Sequence, residues 1–428
     1  MLASSILFLM NPNSIYIHIP FCLHRCAYCD FNTYAGMANK IPEYVNALQF
    51  EARFLGDVTN ERLGVHTIYF GGGTPSLLPV FLIEKILNTL DDCFKLEPDI
   101  EISLEANPGT LSLSYLKDLN SAGVNRLSLG VQSAHSQELS FLERVHRFDD
   151  VLDSVRWVRQ SRINNLSLDL IFGLPEQTIE EWDKSLTKAL NLAPEHFSLY
   201  ALTIEEGTPL HSWATRGLVS NPDPDLVAKM YELAGEKLST AGYVQYEISS
   251  WARANDDYRM NYVEGESRKN KRLSNIETPL ANIQWACRHN LQYWRNESYI
   301  GIGAGAHGFV GGYRLSNVLT PIAYIRRMNQ TASFPKFPRT PATDSIQSID
   351  QQTEMNETLM MGLRLTQEGI SRTDFQERFK QDLNDVFGHQ IDKLIGWKLL
   401  EWVGTDKEIL RLTSSGRLLG NQVFIEFV

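Results

Sequence analysis

The sequence predicts an α/β fold, a parallel sheet wound as a partial (β/α)6 barrel, followed by a smaller C-terminal α+β domain that is winged-helix-like. Three observations predict it. Short β-rich runs alternate with amphipathic helical stretches from about residue 14 to residue 250. Six such runs occur, too few for a closed eightfold barrel. Polar and glycine-rich residues gather at their carboxyl ends, where parallel sheets bind ligands.

The strands are expected at Ser14 to Ile19, Val65 to Phe70, Ile100 to Ala106, Asn125 to Val131, Asn165 to Phe172 and His196 to Leu202. The first runs into Cys22-Leu23-His24-Arg25-Cys26-Ala27-Tyr28-Cys29. Gly71-Gly72-Gly73-Thr74-Pro75 closes the second, where backbone can approach a ligand or simply turn. Glu105-Ala106-Asn107-Pro108 closes the third and Gly130-Val131-Gln132-Ser133 the fourth, while Asp169 lies within the fifth. Taken singly, Glu105, Gln132 and Asp169 read as solvated loop groups; together they read as a binding mouth.

After Trp251 the character changes. Residues 255–285 are polar, without clear periodicity, and include Arg268-Lys269-Asn270-Lys271-Arg272, a solvated loop or a docking patch for an acidic partner. Cys287-Arg288-His289-Asn290-Leu291-Gln292-Tyr293-Trp294 follows, then Gly301-Ile302-Gly303-Ala304-Gly305-Ala306-His307-Gly308. The latter resembles G-x-G-x-x-G, but its place after a polar insert is wrong for a dinucleotide site. Helices are expected at Glu354 to Leu363, Arg372 to Phe379 and Asn384 to Trp397, a strand pair at Leu399 to Val403 and Ile409 to Leu412, and a final helix. The implied domains are an N-terminal extension (1–13), a core (14–250), a polar insert (251–286), a connecting region (287–340) and the C-terminal domain (341–428).

Composition narrows the function. The chain has 428 residues, enough for one large domain and a smaller one, and 43% hydrophobic with 21% charged content marks a globular protein. A net charge of −11 disfavours nucleic acid and anionic membrane as partners. Five cysteines, an odd number, argue against a disulfide framework and for a reducing, cytoplasmic setting. The apolar stretch near Met1 is too short to span a bilayer and lacks a positive flank, so an integral membrane protein is not expected. Transient membrane association stays open.

Cys22, Cys26 and Cys29 supply three thiolates, one fewer than the usual cubane set, so one iron of a 4Fe-4S cluster would be left for a non-protein ligand. A structural zinc site prefers paired C-x2-C motifs and fits this spacing poorly. With Tyr16-Ile17-His18-Ile19-Pro20-Phe21 before it, the loop resembles the signature of the radical S-adenosylmethionine (SAM) superfamily. It is most similar to the branch that contains oxygen-independent coproporphyrinogen III oxidase and a related haem chaperone. Tyr69-Phe70-Gly71-Gly72-Gly73-Thr74-Pro75, Ser103 to Pro108, Leu127 to Ser133, Asp169 to Pro175, and Leu412-Thr413 with Gly416-Arg417 resemble that branch in order and spacing.

The resemblance implies that the three cysteines ligate a 4Fe-4S cluster and that SAM chelates its open iron. It implies that Tyr16, Tyr28, Gly72, Glu105 and Ala201 line the SAM pocket near the cluster. Gly73, Thr74, Gln132, Arg144 and Asp169 would hold the nucleoside, the carboxylate tail or, in the oxidase, a second SAM. Glu105 and Asp169 can accept from an ammonium or a ribose hydroxyl, and Arg144 can fork onto a carboxylate. The oxidase resembles C-x3-C-x2-C-x-C, whereas this chain has Phe31 at the fourth position, which cannot ligate or do thiol chemistry. His289-Asn290-Leu291-Gln292-Tyr293-Trp294 matches the H-N-x-x-Y-W pattern of the chaperone, so His289, Tyr293 and Trp294 are haem-binding candidates. His24 and His307 are weaker ones. The expectation is a haem chaperone that passes haem to acceptor apo-proteins, with homodimer formation open. The alternatives are porphyrinogen oxidation, which Phe31 disfavours, and an unrelated radical SAM enzyme.

Overall fold

The computed structural model describes residues 14–57, 62–255, 283–330, 335–404 and 407–428. The expected N-terminal extension and the centre of the polar insert, 256–282 with its basic run, lie outside the described residues. The strands in chain order are β1 (Ser14–Ile19), β2 (Phe21–Cys22), β3 (Tyr34–Ala35), β4 (Gly64–Gly72), β5 (Lys95–Ala106), β6 (Arg126–Gln132) and β7 (Asn165–Phe172). They continue with β8 (His196–Ala201), β9 (Tyr243–Glu247), β10 (Ser250–Arg253), β11 (Tyr299–Ile302), β12 (His307–Val310), β13 (Tyr313–Asn317) and β14 (Thr343–Ser348). The last are β15 (Ile370–Ser371), β16 (Leu400–Val403) and β17 (Ile409–Leu412). The chain divides into a larger unit, Met1–Pro194, Tyr200–Val227 and Glu297–Ser348, and a smaller one, Glu195–Leu199, Ala228–Asn296 and Ile349–Val428.

In the larger unit the sheet runs β14-β13-β12-β11-β1-β4-β5-β6-β7. From β11 to β7 the pairing is parallel, and from β11 to β14 it is antiparallel. β1, β6 and β7 are buried along nearly their whole length, as strands covered on both faces must be. Their connections are amphipathic helices with ordinary start signals. At Ile179–Leu190, the Thr178 hydroxyl accepts from Glu181 N at 3.2 Å and the Glu181 carboxylate accepts from Thr178 N at 2.9 Å. Where the sequence suggested only a connecting region over 287–340, the structure extends this sheet by three strands, β11 to β13, and a fourth, β14, adds to it from residues 343–348, which were expected to open the C-terminal domain.

The glycine-rich run Gly301–Gly308 is the return from β11 to β12. Gly303 has φ +109°, and a Cβ there would meet His18 O and the Tyr44 hydroxyl, each at 2.7 Å. Its amide donates to Glu51 Oε2 at 2.9 Å and that of Ala304 to Tyr44 Oη at 2.7 Å. The amides a dinucleotide phosphate would need are thus already committed within the protein. Glu51, fully buried, also accepts from Tyr324 Oη (2.6 Å), Thr340 Oγ1 (2.7 Å) and Asn317 Nδ2 (3.0 Å). Burial pushes its carboxyl up, and those four donors offset part of the cost.

In the smaller unit β8 and β9 flank β10, both antiparallel to it. A second sheet, β15-β17-β16, is antiparallel and packs with the helices Gln351–Gly362, Arg372–Phe379 and Leu383–Gly396 around Leu359, Phe375, Phe387, Leu394 and Leu410. The C-terminal pattern predicts these three helices and the β16–β17 pair; it does not predict the two-residue β15, and the single final helix it expects is split into Ser414–Leu418 and Gly420–Phe424. Among the described residues no helix is long and apolar enough to cross a membrane.

Candidate functional site

The first strand delivers the cysteine loop. β1 ends at Ile19, Pro20 follows, and Phe21–Cys22 pairs in parallel with Tyr34–Ala35, so the loop between them is pinned at both ends. Beneath it, Gly73 N donates to Ile19 O and Thr74 N to Phe21 O, both at 2.8 Å. A Cβ on Gly73 would stand 2.7 Å from Phe21 O, so only glycine allows this backbone-to-backbone approach. The triple-glycine turn therefore seats the cysteine loop.

Each of the three thiols has a side-chain polar neighbour. Thr74 Oγ1 donates to Cys22 Sγ at 3.7 Å, Arg144 Nη1 donates to Cys26 Sγ at 3.6 Å, and Thr33 Oγ1 lies 4.0 Å from Cys29 Sγ. Burial pushes the Cys22 and Cys29 thiols up, and the neighbouring cysteines push the same way. Crowded, half-buried thiols resist ionising until a cation joins them. Among the described residues no three Cys, His, Asp or Glu side chains converge to hold one metal ion. A cubane, by contrast, takes each thiolate on a different iron.

The strand ends supply the rest. Glu105, at the end of β5, accepts from Tyr69 Oη at 2.9 Å and Gly72 N at 3.1 Å. Burial, with Asp169 adding, pushes its carboxyl up to about 7. Asp169 on β7 accepts from Ser128 Oγ at 3.0 and 2.9 Å and from Ser167 Oγ at 3.1 Å. Arg144 uses Nη2 on Gly130 O at 3.1 Å and on Asn107 Oδ1, while its Nε is buried without a partner among the described residues. Gln132 follows a register shift between β6 and β7 and has φ +64°, which turns it out of the strand. Tyr16 Oη donates to His18 Nδ1 at 3.0 Å, because His18 Nε2 donates to Asn32 O at 2.9 Å and burial keeps the ring neutral. Tyr28 is half-buried beside Arg144, and burial pushes its phenol up.

The structure thus joins Cys22 to Thr74, Cys26 to Arg144 and Gly72 to Glu105. Asn107 connects two of these groups, since its Nδ2 donates to Thr74 Oγ1 at 3.1 Å and its Oδ1 accepts from Arg144. Ala201 is exposed at the end of β8, and no side-chain contact ties it to the others. Sequence reasoning missed Asn107, Thr33 and Tyr69. Asn107 and Tyr69 stand inside quoted motifs at strand ends, which was the available signal; Thr33 had none.

Of the histidines, His24 donates to Glu143 Oε2 at 3.2 Å on the surface, and His307 is exposed. His289 is 1% exposed in the short helix Arg288–Trp294. Its Nε2 lies 2.9 Å from the Tyr293 hydroxyl, ring edge to face. The Arg364 guanidinium covers the Trp294 ring at 4.4 Å, and Trp294 Nε1 is buried without a partner among the described residues. Phe31 is 64% exposed.

Comparison with known proteins places this geometry. Residues 16–189 match the family model of the radical SAM superfamily, and residues 349–419 match that of the HemN C-terminal domain. The chain is 35% identical to the "Heme chaperone HemW" of Bacillus subtilis, over 97% of this chain and 99% of that one. It is 34% identical to the protein of the same name in Lactococcus lactis, over 98% of each chain. It is 33% identical to the zebrafish "Radical S-adenosyl methionine domain-containing protein 1, mitochondrial", over 90% and 81%. Among solved structures it is similar to coproporphyrinogen III oxidase (HemN) from Escherichia coli, with TM-score 0.77 and 20% identity over 99% and 93% of the two chains. That last likeness bears on the fold alone.

Proposed function

Because the chain belongs to the HemW family of the radical SAM superfamily, we propose that it is a cytoplasmic haem chaperone, which binds haem and hands it to acceptor apo-proteins. The observation that carries the reading is identity to HemW proteins spread over nearly the whole of both chains. Two features support it. Phe31 puts an exposed ring where porphyrinogen oxidation would call for a thiol. The five cysteines are all free, which suits a reducing compartment.

The donor set fits the superfamily's cofactors. Cys22, Cys26 and Cys29 would hold a 4Fe-4S cluster, which supplies an open iron for SAM and the electron that can cleave it. Toward SAM, the orphaned Nε of Arg144 suits a carboxylate, and Glu105 and Asp169 suit an ammonium or ribose hydroxyls. Tyr16, Tyr28, Gly72, Gly73, Thr74, Gln132 and Ala201 complete the assignment. In this reading cluster and SAM tune haem transfer, with little turnover of SAM. His289, Tyr293 and Trp294 provide the haem site, with His289 as the iron ligand.

Glu105 makes the SAM assignment testable by pH. Its carboxyl titrates near 7 in the free protein, so below that it is protonated and cannot neutralise an ammonium. Binding then takes a proton off Glu105, and SAM affinity is expected to rise as pH climbs from 6 to 8, by up to about tenfold per unit below 7. Calorimetry across that range checks it: Glu105→Gln should bind weakly with a flat profile, and a flat wild-type profile would remove Glu105 from the ammonium. The chaperone reading itself requires that anaerobically reconstituted protein binds haem stoichiometrically; a titration without a saturable Soret change would overturn it.

A further inference from the structure

None of the residues assigned to the cluster, SAM or haem lies in the C-terminal motif Leu412-Thr413 with Gly416-Arg417, yet the motif sets up an unusual side chain. In the smaller unit, Thr413 Oγ1 accepts from Gly416 N at 3.0 Å, and a Cβ on Gly416 would stand 2.0 Å from Leu399 O. The turn is pressed against the backbone, and the next residue, Arg417, is half-buried. Arg417 Nη1 donates to Gln245 Oε1 at 3.0 Å. Gln245 Nε2 donates in turn to Ile248 O at 2.9 Å and to the Tyr231 hydroxyl, which donates to Ile248 O at 2.9 Å.

Arg417 has no carboxylate partner among the described residues. The nearby acid, Glu401, accepts from Arg411 Nε at 2.9 Å, and Arg411 adds a second positive charge. Arg417 Nε is buried with nothing to donate to among the described residues. Arg364 in the same unit shows the contrast, since its Nε and Nη2 meet Glu247 Oε1 at 2.9 and 2.6 Å. The charges of Arg417, Glu247 and Arg364 all act on Tyr231, and Arg364 lies over Trp294, whose Nε1 is also unmatched. Burying a guanidinium against an amide alone returns too little to offset its lost hydration. Its planar fork is suited to a carboxylate or phosphate.

The geometry points to Arg417 as the anchor for an oxyanion that enters the smaller unit, and to a propionate of bound haem as its source. The inference rests on the reading of the protein as a haem chaperone, and it gives the haem site a recognition group for the cargo's carboxylates. Neither haem iron nor the porphyrin face is needed for this contact.

The test compares haem with haem dimethyl ester, whose propionates are capped, by Soret titration of full-length wild type, Arg417→Gln and Arg417→Lys. Wild type is expected to prefer the free acid by about tenfold. Arg417→Gln should bind both at the ester's affinity, and Arg417→Lys should keep part of the preference because charge survives without the fork. Equal wild-type binding of acid and ester overturns the inference without any variant having to fold, as does an undiminished preference in folded Arg417→Gln. Inorganic phosphate separates the sources: if it raises the thermal midpoint of wild type but not of Arg417→Gln while acid and ester bind alike, the site takes free phosphate and the propionate assignment is wrong. Failure of wild type to bind either haem overturns the chaperone reading instead.

Discussion

Cys26→Ser is expected to abolish the 4Fe-4S absorbance of the reconstituted protein and to lower SAM affinity at least tenfold, about 1.4 kcal/mol. The cluster would depend on three thiolates, and a serine hydroxyl does not ionise to replace one of them. Cys26 is the informative position because Arg144, the residue assigned to the SAM carboxylate, donates to its sulfur at 3.6 Å. Loss of the thiol removes the open iron and also unties the guanidinium from the loop. Visible absorbance of the cluster and SAM calorimetry on the same sample decide it, and SAM binding that survives loss of the cluster would contradict the assignment.

Paired substitutions at the H-N-x-x-Y-W helix carry the second large effect. His289→Ala is expected to weaken haem binding by about a hundredfold, the scale of a lost axial ligand, with the cluster absorbance unchanged. Tyr293→Phe should do the reverse. The buried His289 meets the half-buried Tyr293 hydroxyl through Nε2 at 2.9 Å, so iron ligation through that nitrogen first breaks this contact. Removing the hydroxyl saves about 1 kcal/mol of that cost, a severalfold gain in affinity. A structural histidine would give no such opposite pair, and unchanged haem affinity in both variants would remove His289 from the site.

The parts of the fold that were legible are those where burial leaves a pattern. β1 and β7 run between the residues expected of them because isoleucine or leucine recurs at every second position, at 15, 17 and 19 and at 166, 168 and 170, which is the period of a strand, and turn residues bound each run. β13 and β14 left no such trace. They are antiparallel, β13 half-buried and β14 largely exposed, with polar residues on both faces, so Tyr313–Asn317 and Thr343–Ser348 read as loop. Gly301–Gly308 shows the other limit. Its spacing announces close backbone approach, but what approaches is decided by the fold, and here it is β1 and Glu51.

At the site, the cysteines, the strand-end residues Glu105 and Gln132, and Asp169 within its strand were visible from position alone, and their roles toward SAM came from resemblance. The connections were not visible. Asn107 links Thr74, after β4, to Arg144, which lies beyond the helix that follows β6, and Thr33 reaches Cys29 only because Tyr34 pairs back on Phe21. Such contacts depend on chain crossings with no sequence period. Nor could the motif around His289 disclose that the imidazole is buried, because a seven-residue helix has too few turns to define a face.

The most direct measurement sets haem binding against porphyrinogen turnover in one anaerobic preparation carrying its cluster, with SAM and a reductant present. Stoichiometric haem binding, transfer of that haem to an apo-haem protein, and no decarboxylation of coproporphyrinogen III above background are expected. Enzymatic conversion of coproporphyrinogen III without stoichiometric haem binding would contradict the chaperone reading and show that Phe31 is no barrier to the oxidase reaction.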